Sequence, residues 1–113
     1  YNNFAYSLVE RNEDLDYALS LAEKAIQISP DVSAYLDTIG WIYYKLSEFE
    51  KAKDYISQAL IYEDTSSVIL EHYGDVLISL NEIDEAIIFY KKALLIDEDN
   101  NDLKLKISSY ESE

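Results

Sequence analysis

The sequence predicts an all-α fold, a solenoid of three stacked antiparallel helix pairs followed by one further helix. The first observation behind this prediction is that small residues recur at one constant interval, as Ala18, Ala52 and Ala86, as Ala25, Ala59 and Ala93, and as Gly40 and Gly74. The second is that the apolar residues between these points follow helical spacing. A period of about 34 residues is typical of stacked repeats. We therefore expect function to lie in a surface and not in a catalytic pocket.

Each copy is predicted to be a helix, a tight turn and a second helix. In the middle copy the helical pattern is broken at residues 47–50 and holds on either side, at Leu36, Ile39, Tyr43 and Leu46 and at Ala52, Ile56, Ala59 and Leu60. Ser47 with Glu50 predicts a capping box for the second helix, and Asn81 with Asp84 stands at the same point of the third copy.

The two glycines predict close contact within each pair. Glycine inside a helix costs about 1 kcal/mol relative to alanine, so its presence indicates crowding. Antiparallel helices approach closely where one presents glycine or alanine to a large side chain of the other. We therefore interpret Gly40, Gly74 and the repeated alanines as structural.

The pattern divides one domain, residues 1–113, into three repeats and a cap. The first repeat is predicted to lack its opening turn before Tyr1 and to carry one extra residue in the turn at residues 12–16. After the third repeat, residues 99–102 supply a helix start, and a weak apolar pattern predicts a helix with one polar side, as terminal repeats require for solubility. The boundaries are residues 1–32, 33–66 and 67–99 for the repeats and 100–110 for the capping helix.

These copies resemble the tetratricopeptide repeat family, whose repeating pattern has a large apolar residue, Leu-Gly, Tyr, Ala, an aromatic residue, Ala and Pro. The middle copy matches it with Leu36, Ile39, Gly40, Tyr43, Ala52, Ile56, Ala59 and Asp64. The third has Leu70, Tyr73, Gly74, Leu77, Ala86, Tyr90, Ala93 and Glu98, and the first has Tyr1, Phe4, Ala5, Leu8, Ala18, Ala22, Ala25 and Pro30. The resemblance implies a right-handed α-solenoid. The residues of the three copies look like the C-terminal repeats of larger bacterial proteins of this family.

Composition and charge narrow the class of partner. With 9 basic and 23 acidic residues the net charge is −14, which argues against nucleic acid and anionic membranes and favours a basic or apolar protein or peptide. No apolar run reaches membrane-spanning length, so direct membrane insertion is not expected. Cysteine is absent, which leaves the redox compartment open. We expect a soluble fragment of a larger protein, in bacterial cytoplasm or periplasm; the compartment stays open, and any targeting signal lies outside the fragment.

The resemblance also implies a concave groove lined by the first helix of each pair. Carried over residue by residue, the groove candidates are Asn2, Asn3, Tyr6, Val9, Glu10, Asp37, Thr38, Trp41, Tyr44, Lys45, Glu71, His72, Asp75, Ile78 and Ser79. The groove would be aromatic in the middle and acidic along one side. Trp41 and Tyr44 are then candidate hot spots for a segment that brings apolar and positively charged side chains.

Chaperone-binding members of the family hold a terminal carboxylate with lysine, arginine and asparagine side chains. Those places carry Asn2, Tyr6, Thr38, Val68 and His72 here, with no lysine or arginine. We therefore do not expect binding to the acidic tails of heat-shock chaperones.

Two single residues have competing interpretations. Trp41 is either exposed in the groove or buried as core, and we expect exposure because Ile39 and Tyr43 already fill the inward-facing points. His72, with Glu71 and Asp75 nearby, is a candidate metal or acid–base cluster. Such a cluster on one helix supplies fewer ligands than a zinc site needs. We expect His72 to be a groove or surface residue, and we expect neither an enzyme nor a bound cofactor.

Three roles stay open at this point. The domain is predicted to be a protein-interaction scaffold or adaptor. It is alternatively a self-association module, in which the end before Tyr1 or the capping helix docks on a second copy, or a passive spacer in a longer array.

Overall fold

The secondary structure is helical throughout. The computed structural model describes the backbone of residues 2–11 and 14–111 and the side chains of residues 4–11 and 14–111. Within these ranges the helices are α1 (Asn2–Glu10), α2 (Leu15–Ile28), α3 (Ser33–Lys45), α4 (Phe49–Tyr62), α5 (Ser67–Ser79), α6 (Ile83–Ile96) and α7 (Asn101–Glu111). The predicted all-α fold of helix pairs with one last helix is confirmed. Tyr1 and residues 12 and 13, two of the five residues of the predicted turn, lie outside the described residues.

The helices form two compact units. Unit 1 comprises residues 1–63 and unit 2 comprises residues 64–113. In unit 1, α3 packs against α4, α2 against both α1 and α3, and α1 against α3; in unit 2, α5 packs against α6 and α6 against α7. One domain over residues 1–113 stays a prediction. The buried core cluster of unit 1 consists of Ala5, Leu8, Val9, Ala18, Leu21, Ala22, Ile39, Trp41 and Ile42.

Both glycines lie where the helices of a pair meet, as predicted. A Cβ atom added to Gly40 would collide with Cγ1 of Ile56 and lie 3.2 Å from the carbonyl oxygen of Ala52. A Cβ atom added to Gly74 would lie 2.6 Å from Cδ1 and 3.0 Å from Cζ of Tyr90. Ile56 and Tyr90 stand at the same position of successive copies. Each glycine therefore accommodates the large residue that its partner helix carries at this position.

The turn inside each pair is closed by the backbone and not by a capping box. Ser47 and Asn81 have φ of 62° and 63°, in the left-handed region, and α4 and α6 begin without a side-chain cap. The N–H of Glu48 donates to the carbonyl of Tyr43 at 2.8 Å, and the N–H of Ser47 donates to Tyr44 at 3.0 Å. These two bonds form a Schellman motif that ends α3, and α5 ends in the same way. The predicted capping boxes are therefore wrong, because both residues terminate the preceding helix.

The last helix continues the repeat period. α5 begins at residue 67 and α7 at residue 101, so the two starts are separated by the same interval as Gly40 and Gly74. Both helices have a polar side chain at the N-cap: Ser66 accepts from the N–H of Ile69 at 3.3 Å, and Asn100 accepts from the N–H of Leu103 at 3.0 Å. α7 thus takes the sequence position of a first helix in a fourth copy.

The outer side of α7 is polar where the earlier first helices are apolar. Lys104 and Ser108 stand at the repeat positions of Leu70 and Gly74. Leu70 and Gly74 are buried, whereas Lys104 and Ser108 are exposed. At these two positions α7 offers polar side chains to any following helix, and its role as a capping helix stays a prediction.

Candidate functional site

In unit 1 the candidates with the richest geometry lie at the end of α3. The rings of Trp41 and Tyr44 stack with centroids 4.4 Å apart and planes 7° apart. The ammonium of Lys45 lies 5.4 Å from the Trp41 ring centroid, and Tyr44 also contacts Phe49 with centroids 5.7 Å apart. Offset stacking and a cation near an aromatic face are both attractive arrangements. We call these four residues the aromatic cluster.

The expectation that Trp41 is exposed is wrong. Its side chain is 8% exposed and belongs to the buried core cluster of unit 1. Tyr44 is only half-buried, and Lys45 is exposed. A large aromatic residue at helical spacing is more often core than surface, and here the stacked Tyr44 ring adds to its cover. Tyr44, Lys45 and the half-buried Phe49 therefore provide the accessible surface of the aromatic cluster.

Other candidates of unit 1 are enclosed. Asp37 is 4% exposed and Thr38 is 1% exposed, and the Thr38 hydroxyl donates to the carbonyl of Ala34 at 2.8 Å. On α1, Val9 is fully buried and Tyr6 is half-buried. The side chains of Asn2 and Asn3 lie outside the described residues, so their roles stay predictions.

In unit 2 two candidate acids are brought together by a residue of the last helix. The ammonium of Lys106 in α7 donates to Oε2 of Glu71 at 2.7 Å, and to Oδ1 and Oδ2 of Asp75 at 3.0 and 3.3 Å. The hydroxyl of Tyr90 in α6 donates to Oδ1 of Asp75 at 2.5 Å. The acidic side predicted for the groove is thus partnered in unit 2 by Lys106.

The neighbouring carboxylates of Glu71 and Asp75 raise the pKa of Lys106. Burial disfavours the ammonium, but the hydrogen bond to Glu71 and the charge of Asp75 outweigh it and raise the pKa above 10.5. The contribution of the Lys106 ammonium to stability is therefore present at neutral pH and is lost as pH rises through that raised pKa. The side chains remain partly accessible, with exposed fractions of 34% for Lys106, 23% for Glu71 and 16% for Asp75.

His72 is buried, whereas the sequence predicts an accessible groove or surface residue. Its side chain is 7% exposed, between Glu71 and Tyr73 on α5. Across the described ranges 2–11 and 14–111, no three His, Asp or Glu side chains are gathered so as to hold a metal ion. In the same ranges, no helix has the length and apolar character needed to cross a bilayer.

Sequence reasoning missed the distinct role of Lys106. From the sequence, Lys104 and Lys106 both belong to the polar side predicted for the last helix, but in the structure Lys104 is exposed and Lys106 is half-buried. The available signal was the period: Lys106 stands at the repeat position of His72, a groove candidate, and not at an outer position of the helix. The charge at that position faces Glu71 and Asp75 and not water.

The fold and the repeat period together define a tetratricopeptide-repeat protein, a class built from helix pairs of this length and phase. Residues 11–93 match the family model described as anaphase-promoting complex, cyclosome, subunit 3. This match covers more than half of the chain, and the chain belongs to that family.

Relatives and solved structures agree with this assignment. The BBSome complex member BBS4 of Bos taurus is 30% identical over 78 residues, which cover 69% of this chain and 15% of that protein. The crystal structure of TTC0263, a TPR protein of Thermus thermophilus, aligns with a TM-score of 0.81 and 27% identity over 97% of this chain and 63% of that one. The first TPR of Spaghetti (RPAP3), bound to the HSP90 peptide SRMEEVD, aligns with a TM-score of 0.90 and 14% identity over 98% of this chain and 89% of that one, which shows the fold alone.

The chain is short beside its curated relatives. It spans 15% of BBS4 and 14% of anaphase-promoting complex subunit 3 of Schizosaccharomyces pombe. What the whole relatives assemble with therefore does not transfer to this chain as a finding.

Proposed function

We propose that this chain is a protein-interaction module that binds a segment of a partner protein through its first helices, and that it is not an enzyme. The observation that carries the proposal is the family: the matching family model and BBS4 are both named as parts of multiprotein complexes. Solved neighbours of the same fold are named as bound to HSP90 and HSP70 peptides. Function on this fold depends on the site and not on the fold, so the partner's chemistry is argued from the residues.

The proposed partner segment carries apolar and basic side chains. The net charge of −14 attracts a basic segment at long range. The aromatic cluster offers Tyr44 as a partly accessible ring on a rigid stack, which is the kind of residue that forms hot spots. The five positions expected to hold a terminal carboxylate include no lysine or arginine, which disfavours an acidic tail such as SRMEEVD.

The first prediction concerns peptide preference. We expect a peptide that combines leucine, tryptophan and lysine side chains to bind more tightly than the peptide SRMEEVD, because the charge of the chain favours the first and repels the second. We expect Tyr44→Ala to weaken the first peptide about tenfold or more, as removal of a hot spot does. Isothermal titration calorimetry on the folded chain measures both affinities.

Tyr62→Ala is the matched control for this titration. Tyr62 is 59% exposed at the end of α4, in the same unit but outside the aromatic cluster. It should leave the affinity unchanged. A preference for SRMEEVD would refute the proposed partner chemistry. An equal loss of affinity in both variants would show that the aromatic cluster is not part of the binding site. Trp41→Ala is a poorer probe because its ring is part of the core.

Self-association is the second candidate, favoured by one exposed pair. Phe4 of α1 and Tyr17 of α2 are 51% and 48% exposed and meet edge to face with centroids 6.1 Å apart. An exposed apolar pair on adjacent helices is a candidate contact for a second copy.

Sedimentation velocity tests the self-association. Under this candidate, micromolar wild-type chain forms a dimer that the double variant Phe4→Ser with Tyr17→Ser converts to monomer, because the variant removes the apolar contact. A wild-type monomer at these concentrations would exclude this candidate. A monomer that also binds neither peptide would favour the passive spacer.

A further inference from the structure

We propose that α7 is a displaceable occupant of an interaction surface on α5 and α6, and that this surface accepts an amphipathic helix from a partner protein. The partner helix would carry two apolar side chains four residues apart and a basic side chain directly before the second. This inference is separate from the aromatic cluster and goes beyond the proposed function, since it concerns the face that α7 covers.

The contacts of α7 define the chemistry of the surface. Leu103 is fully buried and Ile107 is 7% exposed, so the buried residues of α7 are two apolar side chains one helical turn apart, and the half-buried Tyr110 stacks on Tyr90 with ring centroids 6.4 Å apart. Lys106 lies between Leu103 and Ile107 in the sequence, with Nζ at 2.7 Å from Glu71 and 3.0 Å from Asp75. The surface therefore has an apolar part and a part that requires a cation.

Tyr90 makes the cation site specific. Its hydroxyl holds Asp75 in place at 2.5 Å, and the Lys106 ammonium lies 5.6 Å from the centroid of its ring. A cation in this position thus meets a fixed carboxylate and an aromatic ring together. If the ammonium left, the carboxylates of Glu71 and Asp75 would face each other without a counter-charge, so a replacement helix must bring a positive charge.

α7 is held mainly from one side. Within unit 2, α6 packs against both α5 and α7, whereas α7 packs chiefly against α6, and two of its eleven residues are buried. Leu105 of α7 is 69% exposed, and the contact between Lys91 and Glu111 at 2.9 Å lies at the surface. Elements with few buried contacts are the ones that open locally while the rest stays folded.

Hydrogen exchange of the full chain tests the displacement. We expect the amides of α7 to exchange through a local opening while those of α5 and α6 stay protected, and Lys106→Gln to speed α7 exchange about tenfold through the loss of its charged hydrogen bonds. Lys104→Gln removes the same charge from the exposed side of the same helix, and it should change the rates less than about twofold, as surface substitutions do. Exchange of α5, α6 and α7 together in all three proteins would overturn the proposal.

A peptide tests the acceptor chemistry. The probe is a synthetic peptide of residues 100–111, titrated into the Lys106→Gln chain while NMR shifts of α5 and α6 amides are followed. We expect it to bind at least about fivefold more tightly than the same peptide with Lys106→Gln, and more tightly to the variant chain than to wild type, where the intact α7 competes. Equal shifts with both peptides, or no shift with either, would refute the partner chemistry. Neither result bears on the titration at the aromatic cluster.

Discussion

Ile56→Ala is expected to lower the free energy of unfolding by about 2–5 kcal/mol, the range for deleting a buried aliphatic side chain. Ile56 is fully buried and fills the space that Gly40 leaves open on α3. Alanine would leave a cavity between α3 and α4 that the two helices cannot close without moving the turn at residues 46–48. Urea unfolding followed by circular dichroism measures the change.

Ile61→Ala provides the control on the same helix. Ile61 is 78% exposed on α4, so the identical substitution should change the free energy of unfolding by less than about 0.5 kcal/mol. Similar losses for the two variants would mean that Ile56 does not occupy the interior of the α3–α4 pair.

Gly74→Ala is expected to destabilise the chain by about 1–3 kcal/mol, as overpacking of a well-filled core does. This loss runs against helix propensity, which favours alanine over glycine by about 1 kcal/mol. The added Cβ atom would meet the ring of Tyr90, which is 1% exposed and tied to Asp75 by its hydroxyl. The ring therefore has no space into which to retreat. The same urea titration measures the effect.

Two control variants test whether the destabilisation by Gly74→Ala comes from the contact with Tyr90. Ser108→Ala places alanine at the matching repeat position of α7, which is exposed, and should be neutral or slightly stabilising. In a Tyr90→Leu background the cost of Gly74→Ala should fall, because the shorter side chain leaves room for the Cβ atom. If the cost is unchanged there, the glycine is required for a reason other than the Tyr90 ring.

The sequence alone was sufficient to predict the helices and the repeat positions at which they touch. The alanine and glycine series predicts where helices of a pair touch, and the structure confirms both Gly40 and Gly74 as contact points. The start near residue 100 and the polar character of the last helix were also readable, because helix starts and amphipathic patterns are local properties. The capping boxes were misinterpreted because Ser and Asn also occur in the left-handed position that ends a helix.

The site required the tertiary structure. Exposure of Trp41 depends on which neighbours cover its ring, and the core cluster and the Tyr44 stack bury it. The period separates the position of Lys106 from that of Lys104, but the sequence does not show which carboxylates Lys106 contacts, because Glu71 and Asp75 lie on another helix.

What the sequence by itself determined is therefore the class of protein, the order of helices within each repeat and the points of close packing, all of which follow from periodicity along the chain. What only the tertiary structure decided is the state of the candidate site residues: Trp41 is enclosed, and Glu71 and Asp75 both pair with Lys106. The physical reason is distance. Lys106 lies 35 residues from Glu71 in sequence but 2.7 Å from it in space, and a charge acts through space.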